Sequence, residues 1–341
     1  MKKYIIIGGG LPGVLLANVL VKRGISFQGL ESSKQIGGEF HFSKFRVHQD
    51  SSVGFLKDLL GYAEWNKVDE QPQERIKGAW KPKEDAFIDE ERPFIGNPFY
   101  HPHGDFDRLV KLIKDPVEHS FLTEKNIERI DLDKKTVLCK DGTEFYFECI
   151  AWCSDLRGLL SAVNLSSKVN LKKARKNDDF QGGIHLEMKL SKSLTPFLNS
   201  MILPFRYKDH KLRALGLRDL STLSEENTHR IQWLAFLERE LSEDREEVAK
   251  VIRALKRELQ KEFPEIKNSL LKEKIIFQPK MDSFTPFEVK GLELFPGVFY
   301  VGPEVHLADA MANGSPLDVT IDNCKWFQMG LTQATTTIES A

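Results

Sequence analysis

Cysteine is scarce. Cys139, Cys149, Cys153 and Cys324 are the only four in 341 residues, and they form neither a C-x-x-C pair nor a metal-type spacing with histidine. That pattern excludes a zinc finger and a disulfide framework, and it leads us to expect reduced thiols in a cytoplasmic protein. An excess of one charge is also missing. Lys and Arg total 49 against 50 Asp and Glu, which leaves no global electrostatic footprint for nucleic acid or an acidic membrane surface. No apolar run reaches the length of a bilayer-spanning helix. The nearest one follows Met1-Lys2-Lys3 and copies the charged and hydrophobic regions of an export signal. Gly8, Gly9, Gly10 and Pro12 break it, and its removal would delete the first strand and turn of a folding unit, so we expect neither export nor an integral membrane segment. No Ser/His/Asp or Cys/His arrangement points to nucleophilic catalysis.

What remains is an ordinary globular composition, 41% hydrophobic and 29% charged, with 23 phenylalanines. The length fits two lobes. Tyr4 to Ile7 is a β-branched run of the kind found in a strand buried on both faces. Gly8, Gly10 and Gly13 follow as G-x-G-x-x-G, and a helical apolar pattern then runs through Val14, Leu15, Ala17 and Val21 to Gly24. In such a strand–turn–helix the first glycine permits the tight turn, the second lets backbone approach a pyrophosphate, and the third lets helix and strand touch. Leu11 and Pro12 occupy the start of the helix, whose free N–H groups face the anion. A second strand, Ser26 to Leu30, ends in Glu31 with Ser32 beside it. An acid at that distance accepts hydrogen bonds from a ribose diol and repels the 2′-phosphate of NADP.

"GGGLPG", the "LE" at Leu30-Glu31 and the "IGG" at Ile36 to Gly38 together resemble the opening of the FAD-dependent amine oxidase, protoporphyrinogen oxidase and phytoene desaturase superfamily. The resemblance continues in two further blocks. Tyr100 to Asp115 is similar to the segment by which those chains re-enter the FAD domain, and Asn126 to Leu160 reads as a β meander with an Asp141-Gly142 hairpin turn. Gly297 to Leu331 reads as strand, turn and a helix capped by a Ser315-Pro316-x-Asp318 box. The resemblance implies FAD as cofactor, held at Gly8, Gly10, Leu11, Pro12, Gly13, Glu31, Ser32, Gly38 and Glu39, then at Ile127, Ser154, Gly302, Glu304, Gly314 and Ser315. It also implies that the last helix aims its positive end at the flavin. Two positions depart from the family pattern. Glu39 stands where arginine is common after the double glycine, and "GPE" replaces "GD" or "GE", so that Pro303 or Glu304 can take the acidic place.

The fold class expected is therefore α/β, a Rossmann-type FAD domain with a parallel sheet and a β meander, interleaved with an α+β substrate domain. We assign 1–38, 98–167 and 291–341 to the first, and 39–97 and 168–290 to the second. Strand-like stretches at His185–Leu190, Met201–Tyr207, Leu212–Leu217 and Arg230–Leu237 predict an antiparallel sheet, and Asp244 to Phe263 predicts an amphipathic helix ended by Pro264. Catalytic candidates are His48, Lys280 and Lys189. In amine oxidases a lysine near the flavin lies on a strand similar to "HLEMKLSKSLTPF", but simple spacing puts Met188 at that place. The function expected is FAD-dependent dehydrogenation of a small or medium organic substrate. The alternatives are a non-redox flavoenzyme of the UDP-galactopyranose mutase type, and a binding protein that keeps the fold without catalysis.

Overall fold

The computed structural model describes residues 4–37, 45–62, 64–83, 98–103, 106–163, 181–220, 228–281, 287–307 and 315–339. The chain forms two compact units, one of Met1–Ala63, Asp107–Ala174 and Phe284–Ala341, the other of Glu64–Phe106 and Arg175–Ser283. The fold is mixed α/β, as expected.

In the first unit β1 (Tyr4–Ile7) is central to a six-stranded sheet. β2 (Phe27–Leu30) pairs with it in parallel on one side and Cys149–Trp152 on the other, with Ile5, Ile6 and Ile7 at most 3% exposed. Such double burial explains why this strand reads as an unbroken apolar run. Val298–Tyr300 extends the parallel order beyond Cys149–Trp152, and Glu293–Phe295 closes that edge antiparallel. The helix α1 (Leu11–Lys22) returns from β1 to β2, burying Val14, Leu15, Leu16, Ala17, Val19 and Leu20. Ile127–Asp131, Thr136–Cys139 and Glu144–Tyr146 form the expected meander, and Gly142 takes the positive φ that its hairpin turn demands. A helix at Asp50–Leu60, which we did not anticipate, buries Val53, Leu56 and Leu60 and ends on left-handed Gly61. It belongs to this unit, whereas we had assigned 39–97 to the other lobe. The cause is visible at its entrance, where the N–H groups of His48 and Gln49 donate to Asp318 of the same unit.

The second unit is built on a seven-stranded sheet ordered Leu270–Met281, Gln181–Leu190, His229–Leu237, His210–Asp219, Met201–Tyr207, Gln73–Ile76 and Ala79–Pro82. The middle four are the expected strands, and they pair antiparallel. Both edges escaped the sequence reading. Leu270–Met281 hides its period behind Lys272, Glu273 and Lys274, because an edge strand half open to water carries charge. The hairpin at the other edge is too short to show a period. On one face of the sheet the helix Arg245–Glu262, capped by the Asp244 side chain, lays Val248, Val251, Leu255 and Leu259 onto Leu186, Met188, Leu203, Phe205 and Trp233. Each leucine buried this way is worth about 1.5–3 kcal/mol.

That packing fixes a first test. Leu255→Ala, at a site 0% exposed, should cost about 2–5 kcal/mol in urea unfolding, whereas Arg253→Ala on the outer side of the same helix should stay within about 0.5 kcal/mol. Equal effects would mean that the helix is docked by another face.

Candidate dinucleotide-binding site

β1 ends in Gly8, at φ +100°, where any side chain would strain the backbone. A β-carbon on Gly8 would also stand 3.1 Å from the backbone of Cys153 and Ser154, at the end of the neighbouring strand. Gly13 is constrained harder, since its β-carbon would sit 1.8 Å from the Gly8 carbonyl oxygen. Gly10 is different. It is the N-cap of α1 at φ −70°, and among the described residues a β-carbon there would meet only the Pro12 ring, at 3.9 Å. Packing requires the first and third glycines but leaves the space over the second open. No side chain caps α1, and its first turn holds no acidic residue, so the first-turn N–H groups keep their pull on an anion.

Glu31 closes this loop from the end of β2. Its Oε2 accepts the Gly9 N–H at 2.6 Å, and its Oε1 accepts the Ser33 N–H at 2.6 Å and the Ser32 hydroxyl at 3.2 Å. The acid is thus a brace for the glycine turn, and its Oε2 retains a lone pair beyond the Gly9 bond. Gly37 donates its N–H to the Gly9 carbonyl at 2.5 Å, which folds the chain after β2 back over the turn. The backbone of Glu124 and Lys125 donates to Ser33 and Glu31 at 2.9 and 2.8 Å. Ile127, two residues further, begins the meander strand Ile127–Asp131.

The C-terminal block forms the other side. The Ser315–Asp318 box is made in both directions, with Asp318 N–H donating to Ser315 Oγ at 3.1 Å and Ser315 N–H to Asp318 Oδ2 at 2.9 Å. Asp318, 0% exposed, also accepts the His48 and Gln49 N–H groups at 2.8 and 3.3 Å. That buried carboxylate offsets part of the positive end of the helix Pro316–Glu339, so the field it aims outward is weaker than the capping pattern alone implies. Gly302 is held by close contact, a β-carbon there standing 2.6 Å from the Tyr300 hydroxyl. Glu304 Oε2 accepts the Leu156 N–H at 2.5 Å and the Tyr300 hydroxyl at 2.8 Å, tying the short helix Leu156–Ala162 to the strand Val298–Tyr300.

The turn thus gathers Gly8, Gly10, Leu11, Pro12, Gly13, Glu31, Ser32 and Ser154. Gly38, Glu39 and Gly314 lie outside the described residues. Lys280 falls in the strand Leu270–Met281. Met188 is buried in the helix-facing core of the second unit, and Lys189, its neighbour on a regular strand, points to the other face. His48 contributes its backbone N–H to Asp318. Two residues went unread in the sequence. Asp318 was seen only as a cap, and Arg46, 2% exposed, has its guanidinium pulled down to about 9 by burial. A lone arginine between Phe45 and Val47 was the available signal. The cysteines are all buried, with burial pushing the Cys153 thiol up and the Cys324 thiol to about 12, which leaves those two thiols protonated. Among the described residues no helix is long and apolar enough to cross a membrane.

A parallel sheet with a glycine turn at its carboxyl edge, joined in one chain to an antiparallel-sheet unit, is a fold this chain shares with solved oxidoreductase and FAD-dependent monooxygenase structures. An oxidoreductase from Methanosarcina mazei shares it over 97% of this chain and 100% of its own, at TM-score 0.64 and 13% identity. Reduced UDP-galactopyranose mutase matches over 82% and 84%, at TM-score 0.57 and 11% identity. A probable FAD-dependent monooxygenase from Pseudomonas aeruginosa matches over 98% and 87%, at 0.55 and 13%. No family model and no curated protein matches the sequence. At these identities the likeness is one of fold.

Two substitutions test the division of labour among these residues. Gly13→Ala should destabilise by about 1–3 kcal/mol through overpacking, while Gly10→Ala should change stability by less than about 1 kcal/mol; thermal melts that reverse the order would refute the geometry. Asp318→Ala strips the acceptor from four donors and should cost about 3 kcal/mol, with Asp318→Asn recovering part of it.

Proposed function

We propose that this chain binds FAD and is an oxidoreductase acting on a small or medium organic substrate. The observation that carries the reading is the open space over Gly10, next to a glycine turn that Glu31 holds in shape. A structural turn with no ligand has no use for glycine at that position, since alanine would fit it.

The residues present fit the dinucleotide. The Gly8–Gly13 turn and the N-terminus of α1 would take the pyrophosphate, Glu31 Oε2 the ribose diol, and the backbone at Ile127 the adenine. Ser154, Gly302 and Ser315 stand at the ends of the neighbouring elements. Gly38, Glu39 and Gly314 belong to the proposed set by resemblance. Arg46 is the cation we assign to balancing the cofactor's charge, in place of the arginine missing at Glu39. A bound flavin supplies acceptance of a hydride or electrons, so the protein's part is to bind, orient and exclude water. Glu304 supports this indirectly, by fixing the helix Leu156–Ala162 behind Ser154.

Within that class we favour dehydrogenation of the amine oxidase or desaturase type, which rests on the three ordered sequence blocks. The likeness to UDP-galactopyranose mutase favours a second reading, non-redox flavin chemistry, since Met188 in the core leaves the amine oxidase lysine position without a lysine. Visible absorption spectroscopy of the purified protein, followed by chromatography of what heat releases, tests the proposal. We expect two flavin bands and released FAD, both lost in Gly10→Val with an unchanged far-ultraviolet circular dichroism spectrum. A colourless protein that takes up no added FAD would overturn it.

A further inference from the structure

The helix Arg245–Glu262 turns an apolar face to the sheet, and its outer face carries basic side chains at Lys250, Arg253, Lys256 and Arg257. Steps of three and four residues put these on one surface of the helix. Lys250 Nζ donates to Glu247 Oε1 at 2.7 Å and Lys256 Nζ to Glu273 Oε1 at 2.6 Å. The two arginines have no such carboxylate: among the described residues the side chains of Arg253 and Arg257 make no hydrogen bond or ion pair. They stand four apart, where like charges repel and weaken a helix. The same four basic side chains, with Gln260 and Tyr207, line a recess of about 520 Å³. Tyr207, 9% exposed, reaches it from the sheet, and its hydroxyl is held by donating to Glu247 Oε2 at 2.8 Å.

A recess of that size suits a small molecule, and its donors set the chemistry of the ligand. Each guanidinium presents N–H groups in a planar fork that matches two oxygens of a phosphate. Each lysine ammonium keeps N–H groups beyond the one its carboxylate takes. From Lys250 to Arg257 the positive stretch runs about 10 Å along the helix axis. Acids confine it, with Glu246 exposed one turn before Lys250, and Glu247 and Glu273 on the flanks. That confinement favours a compact anion over an extended one such as nucleic acid. No exposed apolar side chain lines the recess, which argues against a lipid surface. We infer that the recess binds a small molecule carrying a di- or triphosphate group, with Arg253 and Arg257 gripping the phosphate oxygens and Lys250 and Lys256 beside them. A bound anion also relieves the repulsion between the arginines. None of these residues belongs to the set assigned to FAD, and the inference stands whether or not flavin binds.

Calorimetric titration of sodium tripolyphosphate into the full chain tests this, at about 0.15 M salt so that distant surface charges are screened. The double variant Arg253→Gln, Arg257→Gln should bind at least about tenfold more weakly, the loss that charge-assisted hydrogen bonds imply. Arg245→Gln with Lys261→Gln removes two charges from the same helix outside the recess and should change affinity by less than about twofold. Thermal melting without the probe supplies a second readout: the arginine double variant should melt at or above the wild-type temperature, because its like-charge pair is gone. Absence of binding, or equal weakening by both double variants, would overturn the inference, and a lowered melting temperature would assign the arginines to the fold instead. Sedimentation with phosphatidylcholine–phosphatidylserine vesicles covers the other source of phosphate. Pelleting that depends on Arg253 and Arg257, in a protein that binds no tripolyphosphate, would give this face to a lipid surface and refute the small-molecule assignment.

Discussion

The Gly8 carbonyl oxygen lies where a β-carbon on residue 13 would have to go. That contact sets how closely α1 can approach β1, and the approach decides where the helix's free N–H groups end up relative to the sheet edge. The rest of the first unit is arranged around it. Glu31 ties β2 to Gly9, Gly37 ties the following turn to Gly9, and Cys153 donates to Ile7 from the other side. Three strands are thereby pinned to one turn of a few residues. Their pins are mostly backbone groups, which any sequence can supply, but the closeness depends on glycine.

This dependence explains why the cofactor side was legible in the sequence. Glycines at positions 8 and 13 and the acid at 31 are fixed by steric and hydrogen-bond demands that few other residues meet, so their spacing carries the geometry of the turn. The four middle strands of the second sheet and the helix at Arg245–Glu262 were equally readable, because one-sided burial writes period into sequence. What stayed hidden was set by tertiary partners. Glu304 gives no sequence signal for the bonds it accepts from Tyr300 and Leu156. The helix Asp50–Leu60 carries Gly54 and Ser51-Ser52, weak formers that only packing of Val53, Leu56 and Leu60 holds in place. The edge strand Leu270–Met281 has charge where a buried strand would alternate.

The two units differ in how much chemistry they declare. In the first, hydrogen bonds from Gly9, Ser32 and Ser33 hold Glu31 against the glycine turn. In the second, the helix-facing side is a conventional apolar core, while the opposite side carries charge at Glu187, Lys189 and Arg230.

The most direct test of the account is a calorimetric comparison of FAD with FMN on protein freed of bound cofactor. In the proposed assignment Glu31 and the backbone at Ile127 would serve the adenosine half of the dinucleotide, and the turn at Gly8–Gly13 the pyrophosphate that FMN lacks. FAD should therefore bind at least about a hundredfold more tightly, a difference of about 2.7 kcal/mol. Equal affinity for the two, or no binding of either, would contradict the assignment of the glycine turn and Glu31 to a flavin dinucleotide.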